Sequence, residues 1–232
     1  MLRAMRVAAL VVGAGRGERL AREEPKAFVP LAGRPLIAHA LETLASVAAI
    51  ELVVPVVPPD WCGELPVRLA ALARHPKLGA PVPGGATRQD SVRAGLAALG
   101  DEFALVAVHD AARPLLRAED AARVVEAAAR VGAAILAVPV RDTIKRARAG
   151  AVVATPPRDE LFAAQTPQVF RRDWLHEALA KAAAEGRVGT DCAELVEALG
   201  VRVELVEGDP GNWKVTDASD LERARQALEG RT

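Results

Sequence analysis

Apolar residues in this chain fall into two kinds of stretch. Short unbroken runs occupy residues 7–12, 51–57, 104–109 and 133–138, and between them lie longer segments, 36–47, 88–99 and 118–131, in which apolar positions recur every three or four residues. Unbroken runs rich in branched residues suit strands buried on both faces, and the longer period suits amphipathic helices. Their alternation predicts an α/β, Rossmann-like fold, a mostly parallel sheet with helices on both faces. Pro55 inside the second run cannot donate to a ladder, which predicts that the later part of that run is a strand end. Residues 58–83 are less regular, with a helix expected near 65–73.

The rhythm breaks over residues 139–158, where Arg141, Asp142, Lys145, Arg146 and Arg148 precede a short β-like piece at 151–155 and then Pro156-Pro157. This pattern predicts a protruding β-hairpin arm, and an exposed arm in a compact domain is expected to dock on something, a partner subunit being the obvious candidate. Helical patterns follow at 172–184 and 191–199, then a strand at 201–206 and a final helix at 217–228. With no internal repeat or low-complexity linker, 232 residues are expected to form one domain carrying this arm.

Charge narrows the ligand class. Thirty basic and thirty acidic residues give a formal net charge of zero, so neither nucleic acid nor an acidic membrane is expected, and any anion site must be a local cluster of Arg and Lys. The apolar run near the amino terminus is too short for a secretory core or a membrane span, and Cys62 and Cys192 stand at no metal-ligand spacing. The expectation is a cytoplasmic protein with reduced cysteines.

In open α/β sheets ligands gather at the carboxyl ends of the strands, and four loops there carry unusual chemistry. The first run ends in Gly13-Ala14-Gly15-Arg16-Gly17-Glu18-Arg19, followed by Pro25-Lys26. The glycines can present N–H groups to an anion, while Arg19 and Lys26 add positive charge. A dinucleotide fingerprint is excluded because Glu18 stands where its third glycine belongs, and a Walker A loop is excluded because Gly-Lys-Ser/Thr is missing. The second loop, Gly84-Gly85-Ala86-Thr87-Arg88-Gln89-Asp90-Ser91, reads as a glycine turn opening a helix with Thr87 as its cap; its backbone and the Ser91 hydroxyl could read a base edge. In the third, His109-Asp110-Ala111-Ala112-Arg113, Asp110 is placed to hold Mg²⁺ or accept a hydroxyl, or could pair with Arg113, and His109 is expected to be packed. The fourth, residues 208–216, is a turn leading into a short strand, with Lys214 able to reach a phosphate.

Together with Asp142-Thr143-Ile144-Lys145-Arg146, Gln165-Thr166-Pro167-Gln168 and Thr190-Asp191, these motifs resemble the 2-C-methyl-D-erythritol 4-phosphate cytidylyltransferase family, in the right order over nearly the whole chain. The resemblance implies transfer of a cytidylyl group from CTP to a small sugar-alcohol phosphate, with pyrophosphate released, in isoprenoid precursor synthesis. It implies that Arg19, Lys26 and Lys214 are catalytic, and that Gly13, Ala14, Gly15, Gly17, Gly84, Gly85, Ala86, Arg88 and Ser91 hold the nucleotide. Asp110, Ala111, Arg113, Thr143, Arg158, Thr166 and Thr190 would then bind the acceptor, with Asp110 also at a divalent cation, Mg²⁺. The arm bearing Thr143 and Arg158 would reach into the neighbouring subunit of a homodimer with shared sites. Val12-Gly13 and Glu18 depart from the commoner family residues and leave Arg19 and Lys26 in register. Two other readings fit the cradle: a ribitol 5-phosphate cytidylyltransferase, and a nucleotide-binding module without turnover.

Overall fold

The computed structural model describes residues 5–15 and 24–230. Among them the chain runs β1 (Arg6–Val12), β2 (Pro30–Leu31), β3 (Arg34–Pro35), α1 (Leu36–Ser46), β4 (Ile50–Val57), α2 (Glu64–Arg68), β5 (Val82–Pro83), α3 (Arg88–Ala97) and β6 (Phe103–Asp110). It continues through α4 (Ala118–Val131), β7 (Ala133–Pro139), β8 (Arg146–Arg148), β9 (Ala151–Ala154), β10 (Phe162–Arg171), α5 (Arg172–Ala184), α6 (Cys192–Glu197), β11 (Glu204–Glu207) and α7 (Ala218–Glu229).

The central sheet has the order β11-β7-β10-β6-β1-β4-β5. Every pairing is parallel except those of β10, which runs antiparallel between β6 and β7. The unbroken runs follow from burial on both faces. In β1, Val7, Ala9 and Val11 point into a core layer shared with α1 and α4, while Ala8 and Leu10 point into the layer under α3, α5 and α6. The expected fold class is therefore the observed one.

Two sheet features depart from the hydrophobic pattern. Pro55 lies within β4 rather than ending it, and sits opposite Val11. Backbone N–H groups alternate sides along a strand, and that of Val53 donates away from β1, to the Lys77 carbonyl. The nitrogen of Pro55 faces the same outer side, where β5 joins only at Val56 and Val57, so no bond to β1 is lost. The second departure is β10, which the apolar pattern does not reveal because Gln-Thr-Pro-Gln interrupts it. Its register slips between Ala164 and Gln168; this irregularity accommodates Pro167 and leaves Gln165 and Thr166 buried behind the strand ends.

The expected arm is present as the β8–β9 hairpin, paired only with itself. Val152 and Val153 are 62% and 53% exposed. The short strand expected beside Lys214 is not formed: residues 212–216 run as irregular chain, tied to the β6 loop by the Val215 N–H donating to the Ala112 carbonyl at 2.8 Å. Val215 packs with Leu31, Leu36, Leu115 and Ala224, docking α7 beside the β2–β3 hairpin. Among the described residues no helix is long and apolar enough to cross a membrane.

The β2–β3 turn gives a stability test. Ala32 has φ +48 and Gly33 φ +75, left-handed backbone that costs a non-glycine residue about 1–2 kcal/mol and that asparagine tolerates better. Ala32→Asn is expected to raise the thermal midpoint by about 2–4 °C, the shift that about 1 kcal/mol gives in a protein of this size; calorimetry of the two proteins checks this.

Candidate active site

Three strand ends open onto one cavity of about 1080 Å³, at the upper end of the volumes typical of ligand sites. Its floor is set by register: Val12 of β1 lies opposite Asp110 of β6 and Val56 of β4. The loops leaving all three strands therefore start side by side. Gly13 donates to the Val56 carbonyl at 2.7 Å, Ala111 to the Val12 carbonyl at 2.9 Å, and Gly84 to the Val57 carbonyl at 2.8 Å.

Close approach explains the glycines. A Cβ on Gly13 would lie 2.9 Å from Ala27 Cβ and 3.1 Å from Ala111 Cβ. One on Gly84 would collide with Ala14 and lie 2.9 Å from Ser91 Oγ. The Gly84-Gly85 turn is held from behind by Ser91, whose hydroxyl donates to the Thr87 carbonyl at 2.9 Å and accepts the Gly85 N–H at 3.1 Å. Ser91 is 1% exposed and shapes this turn while also lining the cavity. Thr87 caps α3 reciprocally with Asp90, as the sequence indicated.

Asp110 is the electrostatic centre. Arg88 Nε donates to its Oδ1 at 2.9 Å and Lys214 Nζ to its Oδ2 at 2.7 Å. Burial opposes ionisation, but the two cations prevail and hold the Asp110 carboxyl far below the usual carboxylate range. Asp110 pairs with these two cations and not with Arg113. Arg88 also reaches α6, where Nη1 lies 3.3 Å from Cys192 Sγ. Lys26 lines the same cavity, as do Gly13, Ala14, Gly15, Gly84, Gly85, Ala86 and Ala111. Gly17 and Arg19 lie outside the described residues.

Behind Asp110 stands a proton-ordered chain. The Asp110 N–H donates to Thr166 Oγ1 at 3.1 Å, and this hydroxyl lies 2.9 Å from His109 Nδ1. His109 Nε2 lies 3.1 Å from the Arg113 carbonyl, which can only accept, so Nε2 carries the proton and Nδ1 accepts from Thr166. Burial pushes the pKa of His109 down to about 4 despite neighbouring Asp110. His109 is a neutral structural imidazole, as its sequence position suggested.

Among the described residues no three His, Cys, Asp or Glu side chains cluster to hold a metal ion. Among the described residues the carboxylates lining the cavity are Asp110 and Asp60. This donor set does not build a protein metal centre, but it fits a divalent cation that draws most of its oxygens from phosphate and water.

Residues 7–230 match the family described as IspD, 2-C-methyl-D-erythritol 4-phosphate cytidylyltransferase. The chain belongs to this family. It is 44% identical to the 2-C-methyl-D-erythritol 4-phosphate cytidylyltransferase of Pelotomaculum thermopropionicum over 97% of this chain and 95% of that one. It is 42% identical to that of Symbiobacterium thermophilum, over 96% and 93%. Among solved structures, the cytidylyltransferase of Thermus thermophilus superposes with a TM-score of 0.78 at 36% identity, covering 97% of this chain and 100% of the other.

Of the residues that the cytidylyltransferase resemblance assigns to the acceptor, Asp110 and Ala111 line the cavity and the others lie elsewhere in the chain. Thr143 and Arg158 line a separate cleft of about 580 Å³ at the base of the arm, with Arg158 Nη1 donating to the Arg141 carbonyl at 2.8 Å. Thr166 is buried in the chain just described. Arg113 spans two carbonyls, donating to Asn212 at 2.7 Å and Ala164 at 3.1 Å, and so braces the loop carrying Lys214. Thr190 Oγ1 donates to Glu194 at 2.8 Å in a loop pinned to α3 by Gln89, which accepts from Gly189 and donates to the Arg187 carbonyl.

Sequence reasoning missed the wall formed by Pro58, Pro59, Asp60 and Trp61. The available signal was its place directly after a strand end.

Gly84→Ala is expected to reduce nucleotide affinity at least tenfold, with a much smaller loss of stability, by driving the turn off Ala14; calorimetric titration checks this. From about pH 6.5 down towards 4 the unfolded chain binds a proton at His109 that the folded chain refuses, so stability falls by up to about 3 kcal/mol across that window. His109→Gln should flatten this part of the pH dependence, read from urea midpoints.

Proposed function

We propose that this chain transfers the cytidylyl group of CTP to 2-C-methyl-D-erythritol 4-phosphate, releasing pyrophosphate, in isoprenoid precursor synthesis. The observation that carries this reading is the convergence of Lys26, Arg88 and Lys214 on a glycine-walled cavity, in a chain of this family. The triphosphate lies along the loop after β1 and the base against the Gly84–Arg88 turn, whose closeness suits a pyrimidine.

The acceptor phosphate is itself a nucleophile. One of its oxygens attacks the α-phosphorus, the new P–O bond forms as the bond to the bridging oxygen breaks, and the electron pair leaves with pyrophosphate. No strong base is needed, and neutral His109 is engaged elsewhere. The protein positions the reactants and neutralises developing charge through Lys26, Lys214 and, by family resemblance, Arg19. Asp110 keeps Lys214 and Arg88 in place, and would hold a divalent cation carried by the nucleotide, Mg²⁺ being the expected ion. That cation would supply further neutralisation of phosphate charge.

The acceptor side requires a second subunit. Two strands with no sheet or core beneath them are marginally stable alone, and the arm exposes Ile144, Val152 and Val153. Docked on a partner, this face is covered and Thr143 and Arg158 are delivered to the partner's cavity, in a homodimer with shared sites. Cys62 and Cys192 are unpaired, consistent with a cytoplasmic enzyme.

Pyrophosphate release with CTP and each polyol phosphate tests the assignment. Preference for methylerythritol phosphate is expected; preference for ribitol 5-phosphate would move the chain to the other acceptor, and tight CTP binding without product would make it a binding module. Lys26→Ala and Lys214→Ala are each expected to lower kcat by about 10²–10³-fold, with folding retained by circular dichroism. Mixed dimers of Lys26→Ala and Arg158→Ala chains should recover part of the activity that neither homodimer shows, since one of their two sites is intact.

A further inference from the structure

The wall formed by Pro58, Pro59, Asp60 and Trp61 has no part in the transfer described above. It is one 3-10 turn, Pro59–Trp61, stiffened by prolines whose φ is fixed. Trp61 does more than line the cavity. Its ring stands 4.3 Å centroid to centroid from Phe28, tilted by 43°, a close contact just short of the usual spacing of about 4.5–7 Å between aromatic pairs. Phe28 is 1% exposed and ends the 3-10 turn Lys26–Phe28.

The Arg68 guanidinium lies 4.7 Å from the centroid of the same Trp61 ring. It also donates to Glu24 at 3.1 Å and lies 3.7 Å from Glu64. The segment 24–28 is therefore gripped at both ends, Glu24 through Arg68 and Phe28 through Trp61, with Lys26 between them and facing the cavity. A half-exposed ion pair contributes little alone. The aromatic contact into the core fixes the backbone, and Trp61, touching both Phe28 and Arg68, is the centre of the grip.

We infer that Trp61 is a positioning residue for Lys26: through Phe28 and Arg68 it holds the lysine backbone where the ammonium meets the triphosphate. The inference rests on the proposed cytidylyl transfer, in which the Lys26 charge must meet the reacting phosphate. Displacement of a catalytic group by about 1 Å can cost about 10²-fold in rate, so a loosened turn should act mainly on kcat/KM.

A double-mutant cycle tests this. Trp61→Ala should lower kcat/KM for CTP about 10–100-fold, with KM for the acceptor unchanged, and Trp61→Phe should stay within about threefold of wild type. In a Lys26→Ala background the same Trp61→Ala change should cost less than twofold, because the group it positions is gone. An equal loss in both backgrounds, or a Trp61→Ala enzyme within twofold of wild type, would overturn the inference. Should Trp61→Ala not fold, Arg68→Met runs the same cycle from the other end of the grip, with a loss of several-fold expected only when Lys26 is present. If the wild-type chain transfers cytidylyl to no acceptor, the functional reading fails separately; the cycle, repeated on the Kd for CTP, still decides the grip by the same two criteria.

Discussion

One buried carboxylate between two cations organises this molecule. Asp110 ends β6, Arg88 opens α3 and Lys214 sits in the loop before α7. Arg88 and Asp110 lie on consecutive elements, while Lys214 comes from 104 residues beyond Asp110 along the chain. Each ion needs the others: without Arg88 and Lys214 burial would drive Asp110 to its neutral form, and without Asp110 two like charges would face each other across a cavity. Removing one member leaves an uncompensated charge, a cost that water reaching the part-exposed Lys214 and Arg88 side chains reduces. The Gly84–Arg88 turn, the central sheet and the carboxyl-terminal segment are thereby locked to one another around the cavity.

The supporting shell behaves consistently. Neutral His109 orients Thr166, which receives the Asp110 N–H, and Arg113 braces the carbonyls of Asn212 and Ala164. Ser91 shapes the glycine turn from behind. These groups hold backbone in place and leave the cavity to glycine N–H groups and long cationic side chains. Such a site suits phosphoryl chemistry, where positioning and charge neutralisation carry the rate.

Much of this was legible in the chain. Runs buried on both faces marked the parallel strands, and glycine with Arg or Lys at their ends marked the cavity. Local patterns were blind where tertiary context decides. β10 carries Pro167 amid polar residues, and is a strand because β6 and β7 flank it. Pro55 is tolerated because its nitrogen faces away from β1. Thr166 and Ser91 read as ligand hydroxyls in sequence; folding adds partners within the chain, His109 and the Asp110 N–H for Thr166 and the Gly84–Thr87 turn for Ser91. Trp61 was overlooked because its partners, Phe28 and Arg68, are brought to it only by folding.

With positioned charges in the cavity and no engaged nucleophile among the described residues, the proposed transfer of the cytidylyl group should be direct, in one displacement. The stereochemical course at phosphorus tests this most directly, using one diastereomer of CTP in which sulfur replaces a non-bridging oxygen on the α-phosphorus, with methylerythritol phosphate as acceptor. Inversion of configuration is predicted. Retention would require two displacements through a covalent nucleotidyl-enzyme and would contradict the account.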